Sequence, residues 1–238
     1  MRDQFYEQLD LIRSQLVDVT EDLRGVVADA TEALLSIDLS RAEAVISREQ
    51  TIADRLDEIE ERALVLLATQ QPVASDLRQL VAGMRIIADL QRMGDHAVHI
   101  AKVARRRMPV PAVPASAEPM IHKMAAIADT MIKHTARLIA NQDVQAAVEL
   151  EQIDDEMDAL HKDLYRMILA PTNEFETEEA IDLALLGRYY ERVADHAVNM
   201  ARRGIYQVTG ERISLSEQRK QKRRRLCWRT APRLCFVK

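Results

Sequence analysis

The stretch "YYERVADHAVNMARR", Tyr189 to Arg203, places Glu191, Asp195 and Asn199 at intervals of four residues. An earlier stretch, "ADLQRMGDHAVHIAK", Ala88 to Lys102, repeats the arrangement with Gln91, Asp95 and His99. A helix turns every 3.6 residues, so each trio forms one column along a helix.

On the helix that carries the first column, the apolar line reads Leu80, Met84, Ile87, then Gln91, Gly94, Val98 and Ala101. The second reads Ala180, Ala184, Gly187, then Glu191, Ala194, Val198 and Ala201. Gln91 and Glu191 therefore sit on a core-facing line, and Asp95 and Asp195 follow one turn later at its edge. The neighbours are small, so a groove is expected there instead of a packed ridge. An unpaired buried carboxylate costs several kcal/mol or neutralises by shifting its pKa. Solvent, an arginine or a cation must satisfy the column.

Arginines are at hand. Arg188 and Arg192 precede Glu191 and Asp195 by three residues, and Arg92 precedes Asp95 by three. Such pairs contribute only about 0.2–0.5 kcal/mol on a helix surface. A solvated pair has no evident need for the same flanks twice, whereas stacked oxygens at i and i+4 suit hard cations. A second helix must then help to enclose the ion. In "VELEQIDDEMDALHKD" Asp154 and Asp158 are again four apart, and counting from Asp38 and Asp143 places Glu49 at the matching point of the first half. A ferritin-like di-iron centre needs acid-x-x-His on two helices, and only Asp158 to His161 fits. His96 and His196 point about 100° away from the aspartates they follow and are read as hydrogen-bonded packing residues.

The rest of the chain supports long helices. It has 238 residues, 47% apolar but only 4% aromatic, with 6 Gly and 7 Pro. Phe5, Leu9, Ile12, Leu16, Val19, Leu23 and Val26 follow a 4,3,4,3 spacing, the seam of a bundle helix. "SIDLSRAEA" breaks it after Ile37, with Asp38 or Ser40 as cap for a second helix running to about Thr69. "QQPVASD" stops that one, and a third spans about Val73 to Arg107. "MPVPAVPASAEP" then places four prolines in twelve residues, read as an extended linker. The plan repeats with helices over about Met120–Ala140, Val144–Leu169 and Thr177–Val208.

The expected architecture is all-α, two tandem antiparallel three-helix bundles over residues 1–108 and 120–210, joined by a linker over 109–119. One continuous six-helix domain stays open, because the halves could share packing. Residues 211–238 form a basic tail, expected to be separate and disordered. Residues 217–238 hold nine Lys or Arg against one Glu, a local +8, so the net −5 of the chain leaves −13 on residues 1–216. An acidic body argues against nucleic-acid binding by the fold itself. Neither a membrane-spanning run nor a hydrophobic leader is present, so a cytoplasmic location is expected. Both cysteines, Cys227 and Cys235, lie in the tail, which excludes a cysteine metal site in the body. Phosphate loops and dinucleotide-binding glycine turns are absent too.

The duplicated Arg-x-(Gly/Ala)-Asp-His-Ala core, followed by (His/Asn)-(Ile/Met)-Ala, resembles the PhoU family of accessory regulators of phosphate-specific transport. The likeness spans residues 1 to about 210 and leaves the tail outside it. It implies a cytoplasmic, usually homodimeric protein that is not an enzyme and binds metal clusters at these motifs. Iron is the expected metal, with zinc, manganese or magnesium as alternatives. The implied partners are the phosphate transporter's ATPase subunit and a phosphate-sensing histidine kinase, with repression of the phosphate-starvation response when phosphate is plentiful. Glu191 and Asp195 match the family's motif in full. In the first half Asp95 matches while Gln91 replaces an acid, and His99 could restore one ligand. A metal-free helical scaffold and a metal-dependent hydrolase are the competing readings.

Overall fold

The computed structural model describes residues 2–172 and 174–210, so the basic tail at 211–238 lies outside the described residues. Six helices follow in order: α1 (Arg2–Ser36), α2 (Leu39–Gln70), α3 (Ser75–Arg107), α4 (Glu118–Asn141), α5 (Val144–Leu169) and α6 (Thr177–Thr209). No strand occurs among the described residues. The α1 seam is buried throughout, from Phe5 at 7% exposure to Leu23 at 0%. A 3.5-residue apolar repeat gives a stripe that only other helices can cover.

The helix ends have local causes. Ile37 turns left-handed (φ 57°), and Asp38 then caps α2 by accepting the Arg41 backbone N–H at 3.0 Å. Glu176 and Glu179 form a reciprocal capping box at the start of α6. Gly210 ends that helix at φ 73°, its N–H donating to the Tyr206 carbonyl at 2.9 Å. Only glycine takes that conformation at no steric cost.

The proline segment differs from the extended linker expected. It forms turns whose Ala112, Val113 and Ala117 are buried in the core. Moreover, α4 begins at Glu118, so Pro119 lies inside its first turn, where no helical hydrogen bond requires its N–H.

Helices α1–α3 pack on one another, as do α4–α6, and the halves meet through α3 against α6 and α1 against α4. One apolar core runs through both halves, from Phe5 to Ile205. Polar clamps cross the same seam. Thr31 and the wholly buried Tyr190 share a 2.7 Å hydroxyl hydrogen bond, and Arg24 grips Asp129 at 2.6 and 3.2 Å. Arg106 and Arg107 both reach Asp182, which is 1% exposed. Asp89, at 5% exposure, takes His196 Nδ1 at 3.1 Å and Arg203 at 2.9 Å. Each buried carboxylate thus has a cationic or N–H partner, without which its burial would cost several kcal/mol.

Candidate functional site

The two sequence columns lie on α3 and α6, the helices that join the halves. Each forms the arginine pair that its spacing allows. Arg92 meets Asp95 at 3.1 Å, Arg192 meets Asp195 at 3.1 Å, and Arg188 pairs with Glu191.

In the second half α5 comes unusually close to α6, and glycine is the reason. A Cβ on Gly187 would lie 2.5 Å from Leu164 Cδ2 and 3.2 Å from His161 Cδ2. The groove expected from the small residues is filled here by Leu164. This approach sets Asp154, Asp158 and His161 of α5 beside Glu191 and Asp195 of α6. Their electrostatics register the crowding. Burial, with the neighbouring charges of Asp158, Asp195 and Asp155, pushes the Asp154 carboxyl up to about 6 against a weak opposing pull from Arg202. Burial and Asp195 also raise Glu191, opposed by Arg188 and Arg192. His161 is held below the usual imidazole value by burial and Arg188, and its Nε2 is buried without a hydrogen-bond partner.

The first half is sparser. Gln91, Arg92 and Asp95 of α3 and Glu49 of α2 line a cleft of about 420 Å³ that also includes Gly94 and Val98. Here the expected groove is present. Gln91 Nε2 donates to Asp57 Oδ1 at 3.3 Å, and Glu49 lies 3.9 Å from the Lys102 ammonium. His99 does not line the cleft. Its ring stacks on Tyr189 of α6 with centroids 5.1 Å apart.

The remaining histidines belong to the seam between the halves. His196 hydrogen-bonds Asp89, as a packing histidine should. His96 stacks on His196 and Tyr189 instead, its Nδ1 is buried without a partner, and burial beside two histidines pushes it down to about 4. Sequence reasoning missed Asp57, although it stands two helical turns beyond Glu49 on the same face of α2. His161 was visible as part of Asp158-x-x-His161, but its nearness to α6 was not.

Among the described residues, no three His, Cys, Asp or Glu side chains are already arranged around a point that could hold a metal ion. The chemistry of the two donor sets nevertheless differs. The second half gathers four carboxylates from two helices, with the Asp154 carboxyl pushed up to about 6 and a partnerless imidazole nitrogen beside them. Mutual repulsion of this kind is what a hard cation relieves, so this set fits a metal ion. The first half offers two carboxylates and an amide already engaged by Asp57, a poorer fit.

Comparisons with known proteins bear on the two-half helical plan. The PhoU domain model matches residues 16–104 and 121–204, one copy in each half. The phosphate-specific transport system accessory protein PhoU homolog 2 of Mycobacterium tuberculosis is 40% identical over 161 residues, covering 68% of this chain and 76% of that protein. The PhoU homolog of Clostridium acetobutylicum is 31% identical over 173 residues, covering 71% and 78%. The crystal structure of PhoU from Pseudomonas aeruginosa superposes with a TM-score of 0.82 at 26% identity, covering 87% of this chain and 100% of that one. The phosphate transport system regulatory protein PhoU from Streptococcus pneumoniae gives 0.80 at 25% identity, covering 88% and 99%.

Proposed function

The chain belongs to the PhoU family, and on that premise we propose that it is an accessory regulator of phosphate-specific transport that acts by binding. Its metal site lies on α5 and α6. The observation that carries the reading is the convergence of Asp154, Asp158, Glu191 and Asp195, with Asp154 held protonated to about pH 6. Their oxygens would hold the ion, and His161 stands next to them as a further donor. When bound, a metal supplies the positive charge that offsets their repulsion. Iron is the first expectation, with zinc, manganese and magnesium as alternatives, because oxygen-rich sites discriminate weakly among such ions. Asp95, Gln91, His99 and Glu49 form the weaker counterpart.

The regulator works between the transporter's ATPase subunit and a sensor histidine kinase, in the cytoplasm and as a homodimer, keeping the phosphate-starvation response off in rich phosphate. No described helix is long and apolar enough to cross a membrane, consistent with that setting. The charge of −13 on residues 1–216 complements basic partner surfaces, so association with the ATPase should be fast and salt-sensitive.

The arginine pairs favour a second reading, a metal-free scaffold whose carboxylates are answered by Arg92, Arg188 and Arg192. Elemental analysis of protein purified without chelators separates the two. At least one metal equivalent, lost on Glu191→Gln with Asp195→Asn, supports the centre, and metal-free protein that takes up none on titration establishes the scaffold. For regulation, a strain lacking the gene and any second copy should express phosphate-scavenging genes in rich phosphate. Full repression in that strain overturns the regulatory reading, whatever the metal content.

A further inference from the structure

A groove of about 890 Å³ lies away from the candidate metal centre, between the first turns of α1 and the last turns of α2. Gln4, Phe5 and Gln8 form one wall. Along α2, Asp54, Glu58, Glu61 and Val65 line the other, at the 4,3,4 spacing that puts all four on one stripe. The floor is apolar, with Phe5 and Leu66, and Val65 is 52% exposed. Glu58 and Glu61 are exposed and make no ion pair among the described residues. Arg62 also lines the groove and Gln50 donates to Asp54 at 2.6 Å, so Glu58 and Glu61 are the carboxylates left for a chain that is both basic and apolar.

The same polypeptide carries such a chain. Residues 217–238 have a net charge of +8, with Leu226, Trp228 and Phe236 among the arginines and lysines. The end of α6 leads towards the groove. Gln207 shares a small pocket with Leu9, Ile12 and Gln79, and a Cβ on Gly210 would lie 3.5 Å from the Arg78 guanidinium. Arg78 is in the first turn of α3, eight residues beyond Gln70, where α2 ends. Residues leaving Gly210 therefore start at the end of the bundle where the groove opens. A nine-residue span reaches at most about 30 Å, and the stripe from Asp54 to Val65 is about 17 Å long.

We propose that the basic C-terminal segment of this chain docks intramolecularly in the α1–α2 groove, its Lys and Arg side chains on Asp54, Glu58 and Glu61 and its apolar residues against Phe5 and Val65. Composition alone points to a segment standing apart; the groove supplies a place for it. A docked segment also covers the acidic strip best suited to a basic partner, so that partner must displace it.

Trp228 is the only tryptophan in the sequence, so its fluorescence reports the segment alone. The full chain at about 1 µM in low salt should show Trp228 quenching by neutral acrylamide reduced about twofold relative to a free peptide of residues 211–238, with quenching restored in about 0.5 M NaCl. The variant Asp54→Asn, Glu58→Gln, Glu61→Gln should quench like the peptide while keeping its helicity, because all three side chains are exposed. Peptide-like quenching in the unaltered chain overturns the proposal. Protection that survives the triple variant places the segment elsewhere and overturns it as well. Protection that grows with protein concentration means a second copy fills the groove, and protection appearing only on addition of RNA assigns the segment to nucleic acid; either outcome also overturns it.

Discussion

The first and second halves share one helical plan and differ in what stands beside the central aspartate. Asp195 has Glu191 one turn before it and Asp154, Asp158 and His161 across a tight α5–α6 contact, whereas Asp95 has Gln91, an open cleft and Asp57. The column has the same spacing in both, with Gln91 and His99 where the second half has Glu191 and Asn199. The neighbouring helix decides whether it becomes a crowded carboxylate cluster or a solvated ion pair.

Removing the acids should separate the two halves most. Glu191→Gln with Asp195→Asn should weaken metal binding by about ten- to a hundredfold, while Asp95→Asn should change total bound metal far less. Calorimetric titration of metal-free protein with iron(II) or manganese(II) reads both, and equal losses from either half would erase the distinction.

The matched helices offer a second contrast through their glycines. Gly187→Ala drives a methyl into Leu164 and should destabilise the protein by about 1–3 kcal/mol in urea unfolding. Gly94→Ala meets only Leu23, at 3.4 Å, and should be neutral or stabilising by up to about 1 kcal/mol through helix propensity. A Gly187→Ala protein of unchanged stability would mean that the α5–α6 approach is looser than described.

The helices, their seams, the α2 cap and the arginine pairs were legible in the sequence because all follow from spacing within one helix. Asp38 and the α1 seam fall where the pattern places them. The pairing of α3 with α6 through Asp89, His196 and Arg203 was not legible, nor was the burial of Asp182, since neither partner announces the other across 76 to 114 residues. His99 shows the same limit. Its register puts it in the Asp95 column, yet Tyr189 of the opposite half captures its ring. The proline segment misled for a different reason: proline forbids helix but says nothing about whether the intervening Ala112 and Val113 will find a core.

A smaller effect concerns protons. Asp154 keeps its proton to about pH 6 when folded but releases it near 3.8 in the unfolded chain. The folded state therefore binds more protons between those values, and this group's contribution to stability falls as pH rises from about 4 through 6. Asp154→Asn should remove that slope and stabilise metal-free protein at pH 7.5 by about 1 kcal/mol, allowing for partial solvent exposure. Smallest of all, Gln91→Glu should raise first-half metal affinity by less than about tenfold, because Lys102 and Arg92 still hold Glu49 and Asp95. A larger gain would show that the missing acid alone separates the halves.

The continuous core has a consequence for any message the protein carries. Two bundles tethered by a string could each melt alone, and a ligand on one would leave the other indifferent. Here Tyr190 reaches into α1 and Arg24 into α4, so the halves should share one unfolding transition. Free energy delivered by any ion bound near Asp195 would then be added to the stability of the whole, at Phe5 as much as at Ile205. Slowed amide exchange across α1 on metal addition would trace that linkage, turning an occupant of one end into a property of surfaces it never touches.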